Sequence, residues 1–547
     1  MPLLLAPLRP QDARQLRMYN RGIMAHSKKN IPGRPGESAR TFQLRLKDSP
    51  ISLETLEPAL DGPISIEWPR SVWARIEQSA EDVAAIVAGG DTAYGINTGF
   101  GSLCRTRIPA DQLAQLQYNL IVSHAVGVGP PASPEVVRLM MALKLISLSR
   151  GVSGVSRPTF EMLANLLTAD VLPVIPTQGS LGASGDLAPL AHMVLAMLGM
   201  GKVLWNGQTI PAGRAIQEKG LAPVALGPKE GLALINGTQF MTAYAVAIAL
   251  RAQKLVKHAD LIAGMSLEGA AGSVRPFDER LQALRPHPGA IETSDNMRKL
   301  LADSEIRQSH ANCDRVQDPY SLRCIPQVHG ASRDALRHAI AIIETEINAV
   351  TDNPVIVDHS DVISGGLFHG QPIALILDYL ALALAELASI SERRIYLLLD
   401  GHAGLPPQLI ENTGVNSGLM IVQYVAAALV SENKGLTFPA SADSIPSSRG
   451  QEDHVSMGAR AATKCYQVLR NTEQVLAIEQ LCAGQALDSR APLKPGTGVR
   501  IAYETLRKHI SHAEKDRPFA EDVASSLRLL VNGEILDAAE SHIGTMR

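Results

Sequence analysis

Residues 178–190 read Gln-Gly-Ser-Leu-Gly-Ala-Ser-Gly-Asp-Leu-Ala-Pro-Leu, and the interpretation of the whole chain starts from them. Three glycines fall within seven residues, so the backbone can turn tightly and approach other groups closely. In the tripeptide Ala183-Ser184-Gly185, the Gly185 nitrogen could attack the Ala183 carbonyl carbon and close a five-membered ring. Loss of water from the ring and from Ser184 would leave a methylidene electrophile made from protein alone. The alternative, which the stretch by itself favours, is a glycine-rich turn that leads into a helix at residues 186–189.

Composition indicates a large globular chain. It has 547 residues, of which 46% are hydrophobic and 19% are charged. Aromatic residues make up only 4% while alanine and leucine are abundant, which favours helices. A net charge of −3 gives no electrostatic reason to expect a nucleic acid or an anionic membrane as partner. The five cysteines form no CxxC pair, which favours a reducing cytoplasm over disulfides or a zinc site.

Apolar residues spaced three and four apart predict helices over most of the chain. Four long patterns, at residues 332–348, 372–399, 418–436 and 454–486, predict a central bundle. Ile373–Leu399 is long enough to span a membrane, but five charged side chains interrupt it, so we expect a buried helix. The predicted fold class is mainly α, with a long central helical bundle and a smaller mixed N-terminal region.

The chain divides into three predicted regions. Residues 1–48 are rich in arginine and lysine and poor in acids, and they are predicted to be a disordered basic extension. An organelle transit segment is the alternative for this extension. Residues 49–230 form the N-terminal region that carries the tripeptide. Residues 231–547 contain the long-helix bundle and the C-terminal helices.

Three further patterns predict local structure. Apolar residues at alternate positions over residues 56–66 predict a short strand, although two prolines weaken the pattern. Asn206-Gly207 predicts a hairpin turn, because it lies between two short apolar runs. The apolar stretch at residues 231–267 predicts one long helix.

Several polar stretches interrupt this apolar chain. Tyr320 and Arg323 lie three residues apart and can share a helical face, on which Arg323 suits a carboxylate. Residues 364–371 form a glycine turn with an aromatic and an imidazole side chain, and residues 447–454 place an acid beside an imidazole. Solvated loops are the alternative for each stretch. The sequence contains no metal-spaced Cys/His cluster and no convincing phosphate- or dinucleotide-binding loop.

Taken together, these stretches resemble the aromatic amino acid ammonia-lyases. The family signature matches residues 182–192 without a gap. Further matches in family order, over roughly residues 51–530, are Tyr94–Gly101, Leu234–Gln239, Gln317–Arg323, Thr351–Pro354 and Ser391–Arg394. The resemblance implies that Ala183, Ser184 and Gly185 cyclise autocatalytically into a methylidene-imidazolone. It also implies that neither a soluble cofactor nor a metal is needed.

The resemblance also implies a role for each site residue. The ring would take up the substrate amino group and improve it as a leaving group, while Tyr94 would remove a β-proton as the base. The other catalytic and substrate-binding residues would be Tyr320, Asn236, Gln317, Arg323 and Phe368. Arg323 would hold the substrate carboxylate. A structural role is the alternative for each residue, and it is most plausible for Gln317 and Phe368.

Two positions favour histidine as the substrate. Ser123-His124 and the stretch Gln451–Met457 resemble the histidine-specific members of the family. Glu452 could accept a hydrogen bond from a substrate imidazole, while His124 contacts the other side of that ring. A local contact at a helix terminus is the alternative for both. Such a pair could decide specificity, because a site built to hydrogen-bond a substrate group rejects analogues that lack it.

The resemblance therefore predicts a cytoplasmic enzyme that eliminates ammonia from L-histidine to give trans-urocanate. It also implies a homotetramer whose active sites are each assembled from three subunits. Departures from the histidine-specific pattern at Leu367, Tyr424 and Ser448-Arg449 leave room for a tyrosine or phenylalanine lyase, or an aminomutase. The alternative of another class is an inactive helical bundle that serves as a binding protein.

Overall fold

Four long helices lie side by side at the centre of the computed structural model. They are Gln239–Gly269, Ile325–Ile347, Gln371–Leu399 and Gly458–Asp488, and each packs against at least two of the others. Gln239–Gly269 is buried around almost its whole circumference, as expected for a helix that is apolar on every face. Ile325–Ile347 is by contrast amphipathic, with Gln327, Arg337 and His338 on its exposed side.

The structure describes residues 41–46, 49–89, 92–103, 105–311, 315–359 and 361–547, apart from the side chain of Ser102. Thr41–Arg547 forms one compact unit, and the boundary predicted at residue 230 stays a prediction. Most of the predicted basic extension, residues 1–48, lies outside the described residues. Its described end differs from the prediction, because Phe42–Arg45 forms a strand that buries Leu44.

The helices and strands follow one another along the described chain. The helices are α1 (Pro58–Asp61), α2 (Arg70–Gly89), α3 (Leu113–His124), α4 (Pro134–Leu148), α5 (Arg157–Thr168), α6 (Leu187–Met197), α7 (Ala212–Glu218), α8 (Glu230–Ile235), α9 (Gln239–Gly269), α10 (Glu279–Ala283), α11 (Pro288–Leu300), α12 (Glu305–Ser309), α13 (Tyr320–Arg323), α14 (Ile325–Ile347), α15 (Gln371–Leu399), α16 (Met420–Leu436), α17 (Gly458–Asp488), α18 (Thr497–Arg507), α19 (Phe519–Val531) and α20 (Glu534–Ile543). The strands are β1 (Phe42–Arg45), β2 (Ile64–Glu67), β3 (Val128–Pro131), β4 (Leu172–Pro173), β5 (Pro176–Gln178), β6 (Lys202–Trp205), β7 (Gln208–Pro211), β8 (Val355–Val357) and β9 (Asp361–Ile363).

The predicted mainly α fold with a central helical bundle is confirmed, with two corrections. Helix α16 was predicted to be central, but it packs on the outside of the bundle and α9 takes the central place. The stretch 231–267, predicted to be one helix, is divided into α8 and α9 by a turn at residues 236–238. The backbone of Gly237 has a φ of +133°, which no α-helix accommodates.

Small sheets brace the N-terminal region. Strands β1 and β2 are parallel, whereas β3–β5, β4–β6–β7 and β8–β9 pair antiparallel. The predicted hairpin is confirmed, because Asn206 and Gly207 both have positive φ between β6 and β7. The strand predicted over residues 56–66 is wrong for its first part. Pro58 begins the short helix α1 there, at a position where its fixed φ suits a helix.

Helix α15 is long and apolar enough to cross a membrane, yet 61% of its most apolar window is buried inside the protein. This agrees with the prediction of a buried helix, which was made because five charged side chains interrupt the apolar stretch. Its outward face keeps several large apolar side chains exposed, namely Leu375, Tyr379, Leu382 and Tyr396. Neighbouring α16 exposes Ile421, Tyr424 and Val425. The described surface of the bundle therefore has an apolar face on these two helices.

Candidate active site

The loop between β5 and α6 carries the tripeptide in a sharply folded backbone. Gly182 and Ala183 each form a backbone bridge with Gly185, so the chain doubles back on itself within four residues. Gly185 has a φ of +76°, and a β-carbon on it would lie only 2.1 Å from the carbonyl oxygen of Gly237. Glycine is therefore required at this position for both its conformation and its size.

This loop is docked on the turn that separates α8 from α9. The backbone N–H of Asp186 donates to the Gly237 carbonyl at 2.7 Å, and the Gly237 N–H donates to the Ser184 carbonyl at 3.4 Å. The buried Asp186 carboxylate accepts from the N–H of Met241 at 2.9 Å, in the first turn of α9, and from the Ser180 hydroxyl at 3.3 Å. Burial raises the pKa of Asp186 to about 7, against these hydrogen bonds, which lower it.

A cavity of about 650 Å³ opens beside Ser184. Of the site residues predicted from the sequence, those that line it are Tyr94, His124, Ser184, Asn236, Phe368 and Glu452. They come from five separate stretches of the chain besides the loop itself. The fold thus gathers around one cavity a serine flanked by Ala183 and Gly185, a phenol, an imidazole, a carboxamide and a carboxylate.

Tyr94 is held in a tight turn before a short helical segment at Gly101–Leu103. Its hydroxyl oxygen accepts a hydrogen bond from the Gly101 N–H at 3.4 Å. The turn is fixed by its own side chains, because the Asn97 carboxamide accepts from the Ala93 N–H at 2.8 Å and the Thr98 hydroxyl accepts from the Gly95 N–H at 3.1 Å. The Tyr94 phenol oxygen is thus presented on a rigid turn with a main-chain donor beside it.

His124 ends helix α3 and is electrostatically coupled to Glu452. Its Nδ1 lies 3.0 Å from the Ser123 hydroxyl. Burial lowers the pKa of His124, and the Glu452 carboxylate partly opposes this by raising it. The imidazole is therefore biased toward its neutral form, in which one ring nitrogen donates and the other accepts.

The turn before Glu452 is strained and sets the position of its carboxylate. Ser448 and Arg449 have φ values of 49° and 57°, a left-handed conformation that costs non-glycine residues roughly 1–2 kcal/mol each. The Ser447 hydroxyl donates to Glu452 Oε2 at 2.6 Å, and the Ser447 N–H donates to the Glu452 carbonyl at 2.9 Å. Backbone strain of this kind is common where a fold must present a functional side chain.

Asn236 presents its carboxamide to the cavity from the turn after α8. Its Nδ2 donates to the Asn353 carbonyl at 2.8 Å, while its buried Oδ1 has no hydrogen-bond partner among the described residues. The Asn353 carboxamide in turn accepts from the Gly365 N–H at 2.7 Å, in the loop that leads to Phe368. These hydrogen bonds link the turn at Asn236 to the loop that leads to Phe368, and both Asn236 and Asn353 line the cavity.

The single chain does not bring Gln317, Tyr320 and Arg323 to this cavity. Tyr320 begins α13, and 69% of its surface is exposed. The Arg323 guanidinium lies 4.3 Å from the centroid of the Tyr320 ring. Gln317 is exposed on the preceding segment. The roles of these three residues at the site stay predictions.

Sequence reasoning assigned no role to several residues that the structure places at or behind the site. Ser448, Gln451 and Asn353 line the cavity, whereas Leu367, at which the sequence departs from the histidine-specific pattern, is exposed and does not. Lys144 lies buried behind the turn at Asn236. The signal for Lys144 was present in the sequence, as a single charge within the apolar run from Leu139 to Ile146. The described residues contain no group of three or more metal-ligating side chains.

Comparisons with known proteins point to the same family that the sequence resembles. The model of the aromatic amino acid lyase family matches residues 51–508. The histidine ammonia-lyase of Natranaerobius thermophilus is 51% identical over 457 residues, which cover 83% of this chain and 90% of that protein. The crystal structure of histidine ammonia-lyase from Trypanosoma cruzi superposes with a TM-score of 0.85 at 38% identity, covering 91% of this chain and 95% of that one. Tyrosine aminomutase from Streptomyces globisporus also superposes with a TM-score of 0.85, at 33% identity, covering 93% and 100%.

Proposed function

Because this chain belongs to the aromatic amino acid lyase family, we propose that it eliminates ammonia from L-histidine and releases trans-urocanate. The chain is a carbon–nitrogen lyase. The reaction breaks the Cα–N bond and one Cβ–H bond of the substrate, and it needs no oxidant. The observation that carries the choice of histidine is that His124 and Glu452 line the same cavity as Ser184.

The tripeptide Ala183-Ser184-Gly185 suits the methylidene-imidazolone that the family implies. Ser184 lines the cavity, Gly185 occupies a cradle that a β-carbon would fill, and the backbone already doubles back on itself. Once formed, this electrophile would take up the substrate amino group and make it a better leaving group. The chain's other residues must then orient the substrate and move its β-proton.

Tyr94 is the proposed base. Removal of the weakly acidic β-proton requires a phenolate, and the hydrogen bond from the Gly101 N–H stabilises negative charge on that oxygen. Asn236 lines the same cavity as Ser184 and is the proposed partner of the substrate amino group. These residues thus orient the reacting end of the substrate.

Glu452 and His124 are the proposed selectors of the substrate ring. The Glu452 carboxylate can accept the N–H of a substrate imidazole and favour its cation, while neutral His124 contacts the ring from its own side of the cavity. A phenyl ring has no N–H to donate to this partly buried carboxylate, which accepts one hydrogen bond from the Ser447 hydroxyl. Discrimination by a site of this kind reaches roughly 10⁴–10⁵.

We further propose that the active protein is a homotetramer with shared sites. The apolar face on α15 and α16 needs cover that the single chain does not provide in its described residues. Tyr320 and Arg323 are displayed outside the chain's own cavity, where they could serve the site of a neighbouring subunit. Free Cys465 and Cys482, whose pKa values burial raises, suit the proposed reducing cytoplasm.

The product assay tests the choice of substrate. Purified protein is incubated separately with L-histidine, L-tyrosine and L-phenylalanine, while the absorbance of urocanate, coumarate and cinnamate is followed. We expect urocanate alone. Coumarate or cinnamate without urocanate would overturn the histidine proposal and favour the tyrosine- or phenylalanine-specific alternatives. A β-amino acid product would indicate an aminomutase, and no turnover of any substrate would favour an inactive binding protein.

A further inference from the structure

Lys144 is a buried charge that the proposed mechanism does not use. It lies in helix α4, whose residues from Val136 to Leu148 are otherwise almost all apolar, and only 1% of its surface is exposed. Burying an ammonium group in a protein core is costly unless its hydrogen bonds are satisfied. The ammonium group of Lys144 must therefore have hydrogen-bond acceptors within the core.

The ammonium group holds the end of helix α8. Lys144 Nζ donates to the Asn236 carbonyl at 2.7 Å and to the Ala233 carbonyl at 3.1 Å. A cation at a helix C-terminus is favourable both for the unsatisfied carbonyls and for the helix dipole. The two hydrogen bonds that the described structure assigns to this group thus both go to main-chain oxygens of one short segment.

That segment supports the tripeptide through a single peptide unit. The Asn236 carbonyl and the Gly237 N–H belong to the same planar amide, in which they point in opposite directions. Lys144 binds the carbonyl side, and the N–H side donates to the Ser184 carbonyl at 3.4 Å. An ammonium group on the carbonyl also polarises the amide and strengthens the bond that its N–H donates.

We propose that Lys144 is a positioning residue for ring formation in the tripeptide. It orients the Asn236–Gly237 peptide, and this peptide holds the Ser184–Gly185 amide, whose nitrogen must reach the Ala183 carbonyl carbon. The inference rests on the proposed function, since it assigns a residue to the maturation of the same site. It goes beyond that function by naming a group that never touches the substrate.

The covalent step balances without any other reactant. A bond forms between the Gly185 nitrogen and the Ala183 carbonyl carbon, the C=O bond of Ala183 breaks, and the same carbon becomes doubly bonded to the Ser184 nitrogen. The oxygen leaves as water with the two protons released by the Gly185 and Ser184 amide nitrogens. Ser184 then loses its hydroxyl and its α-hydrogen as a second water. The peptide becomes lighter by about 36 Da, a covalent change that mass spectrometry reads directly.

Burial has the largest effect on the pKa of Lys144, and the neighbouring charges modify it. Burial lowers the pKa of Lys144 to about 7, and Lys229 also lowers it, whereas the carboxylates of Asp352 and Asp186 raise it. Lys229 itself forms a buried ion pair with Asp352 at 2.7 Å, at the other end of α8. The helix that carries Asn236 is therefore held by a lysine at each end.

The test compares three variants. Lys144→Met keeps the length and apolar packing of the side chain but donates no hydrogen bond, whereas Lys144→Arg keeps a cationic donor. Lys464→Met is the matched control, because Lys464 is also buried, pairs with Asp378 at 2.8 Å and does not line the cavity. Each folded protein is digested, and the fraction of residue 183–185 peptide that has lost two waters is measured against time after synthesis. Thermal melting is recorded alongside.

We expect ring formation in Lys144→Met to be slower by roughly tenfold or more, the factor that corresponds to a hydrogen bond from a charged donor. Lys144→Arg should recover most of the wild-type rate. Lys464→Met should melt at a lower temperature yet form the ring at the wild-type rate.

Wild-type ring formation in folded Lys144→Met would overturn the proposal, as would an equal delay in Lys464→Met. If neither Lys144 variant folds while Lys464→Met does, the role is structural and the proposal is wrong. If the wild-type peptide itself retains both waters, the proposed function fails instead. The two failures are therefore distinguishable.

Discussion

At the scale of single residues, the site depends on contacts that tolerate no added atoms. The carbonyl oxygen of Gly237 lies 2.1 Å from the place of a β-carbon on Gly185, and a β-carbon on Gly101 would lie 2.6 Å from the Ser448 hydroxyl. Gly101 is also the residue whose N–H reaches the Tyr94 oxygen. The loop of the tripeptide and the loop of Tyr94, the proposed base, are thus both packed against a neighbour through glycine.

Tyr94→Phe tests the proposed base. The substitution removes the phenol oxygen and leaves the ring in place, so kcat should fall by roughly 10²–10⁴, the usual contribution of a general base. The residue 183–185 peptide should still be lighter by two waters. Tyr118→Phe is the control, because Tyr118 is exposed on α3 and does not line the cavity. Steady-state kinetics that show an unchanged kcat in Tyr94→Phe would exclude it as the base.

Glu452→Gln tests the proposed selector. The neutral amide loses the charge that favours a cationic imidazole, so kcat/KM for L-histidine should fall roughly 10–100-fold, as expected for one charged hydrogen bond. Asp453→Asn removes the adjacent exposed carboxylate and should change kcat/KM less than about twofold. Equal losses in both variants would show that Glu452 acts only through general electrostatics and would refute its role as selector.

At the scale of elements, helix α13 is supported by a buried ionic network. Arg394 forms a two-pronged ion pair with Glu479, with Nε–Oε1 at 2.5 Å and Nη2–Oε2 at 2.9 Å, and both side chains are fully buried. Its Nη1 also donates to the Ser321 carbonyl in α13 at 3.5 Å and lies 3.4 Å from His329 Nε2. His329 Nδ1 in turn lies 2.8 Å from Asp260. The segment that presents Tyr320 is therefore attached through this network to all four central helices.

Arg394→Met should destabilise the protein by about 3–5 kcal/mol, because it leaves the Glu479 carboxylate buried without a cation. Replacing Glu479 by Met as well should recover a large part of that loss. Chemical denaturation measures both changes. A loss below about 1 kcal/mol in the single variant would show that water or another group already satisfies Glu479.

The elements also show what sequence patterns can predict. The apolar periodicity of α14, α15 and α17 was sufficient to predict long helices within a few residues of their ends, apart from the start of α14. It did not reveal the break in the stretch 231–267, because apolar residues continue on both sides of Asn236-Gly237, although this is the same dipeptide that marks the hairpin turn at residues 206–207. The periodicity also could not predict where each helix lies in the bundle, because α16 is as apolar as its neighbours and yet packs on the outside.

At the scale of the whole molecule, the site residues divide into two groups. Those near the tripeptide in the folded chain were predictable from local motifs, and Tyr94, Asn236 and Glu452 indeed line one cavity with Ser184. Tyr320 and Arg323 carry equally clear motifs but lie outside that cavity. No pattern within one chain specifies which copy of the chain supplies them.

Mixing of subunits tests the shared site. Ser184→Ala and Tyr320→Phe variants, each nearly inactive alone, are co-expressed in equal amounts. If Tyr320 comes from another subunit, some mixed sites contain both native residues, and about a quarter of wild-type turnover should return. If each chain used its own Tyr320, every site would carry one lesion and turnover would stay at the level of the single variants.

The mass of one peptide tests the central claim most directly. Wild-type protein is purified, digested and analysed for the peptide that contains Ala183-Ser184-Gly185, with Ser184→Ala as the reference that cannot lose the hydroxyl. We predict that the wild-type peptide is lighter than its sequence mass by two waters, about 36 Da. A wild-type peptide at its full sequence mass, from folded protein, would contradict the account.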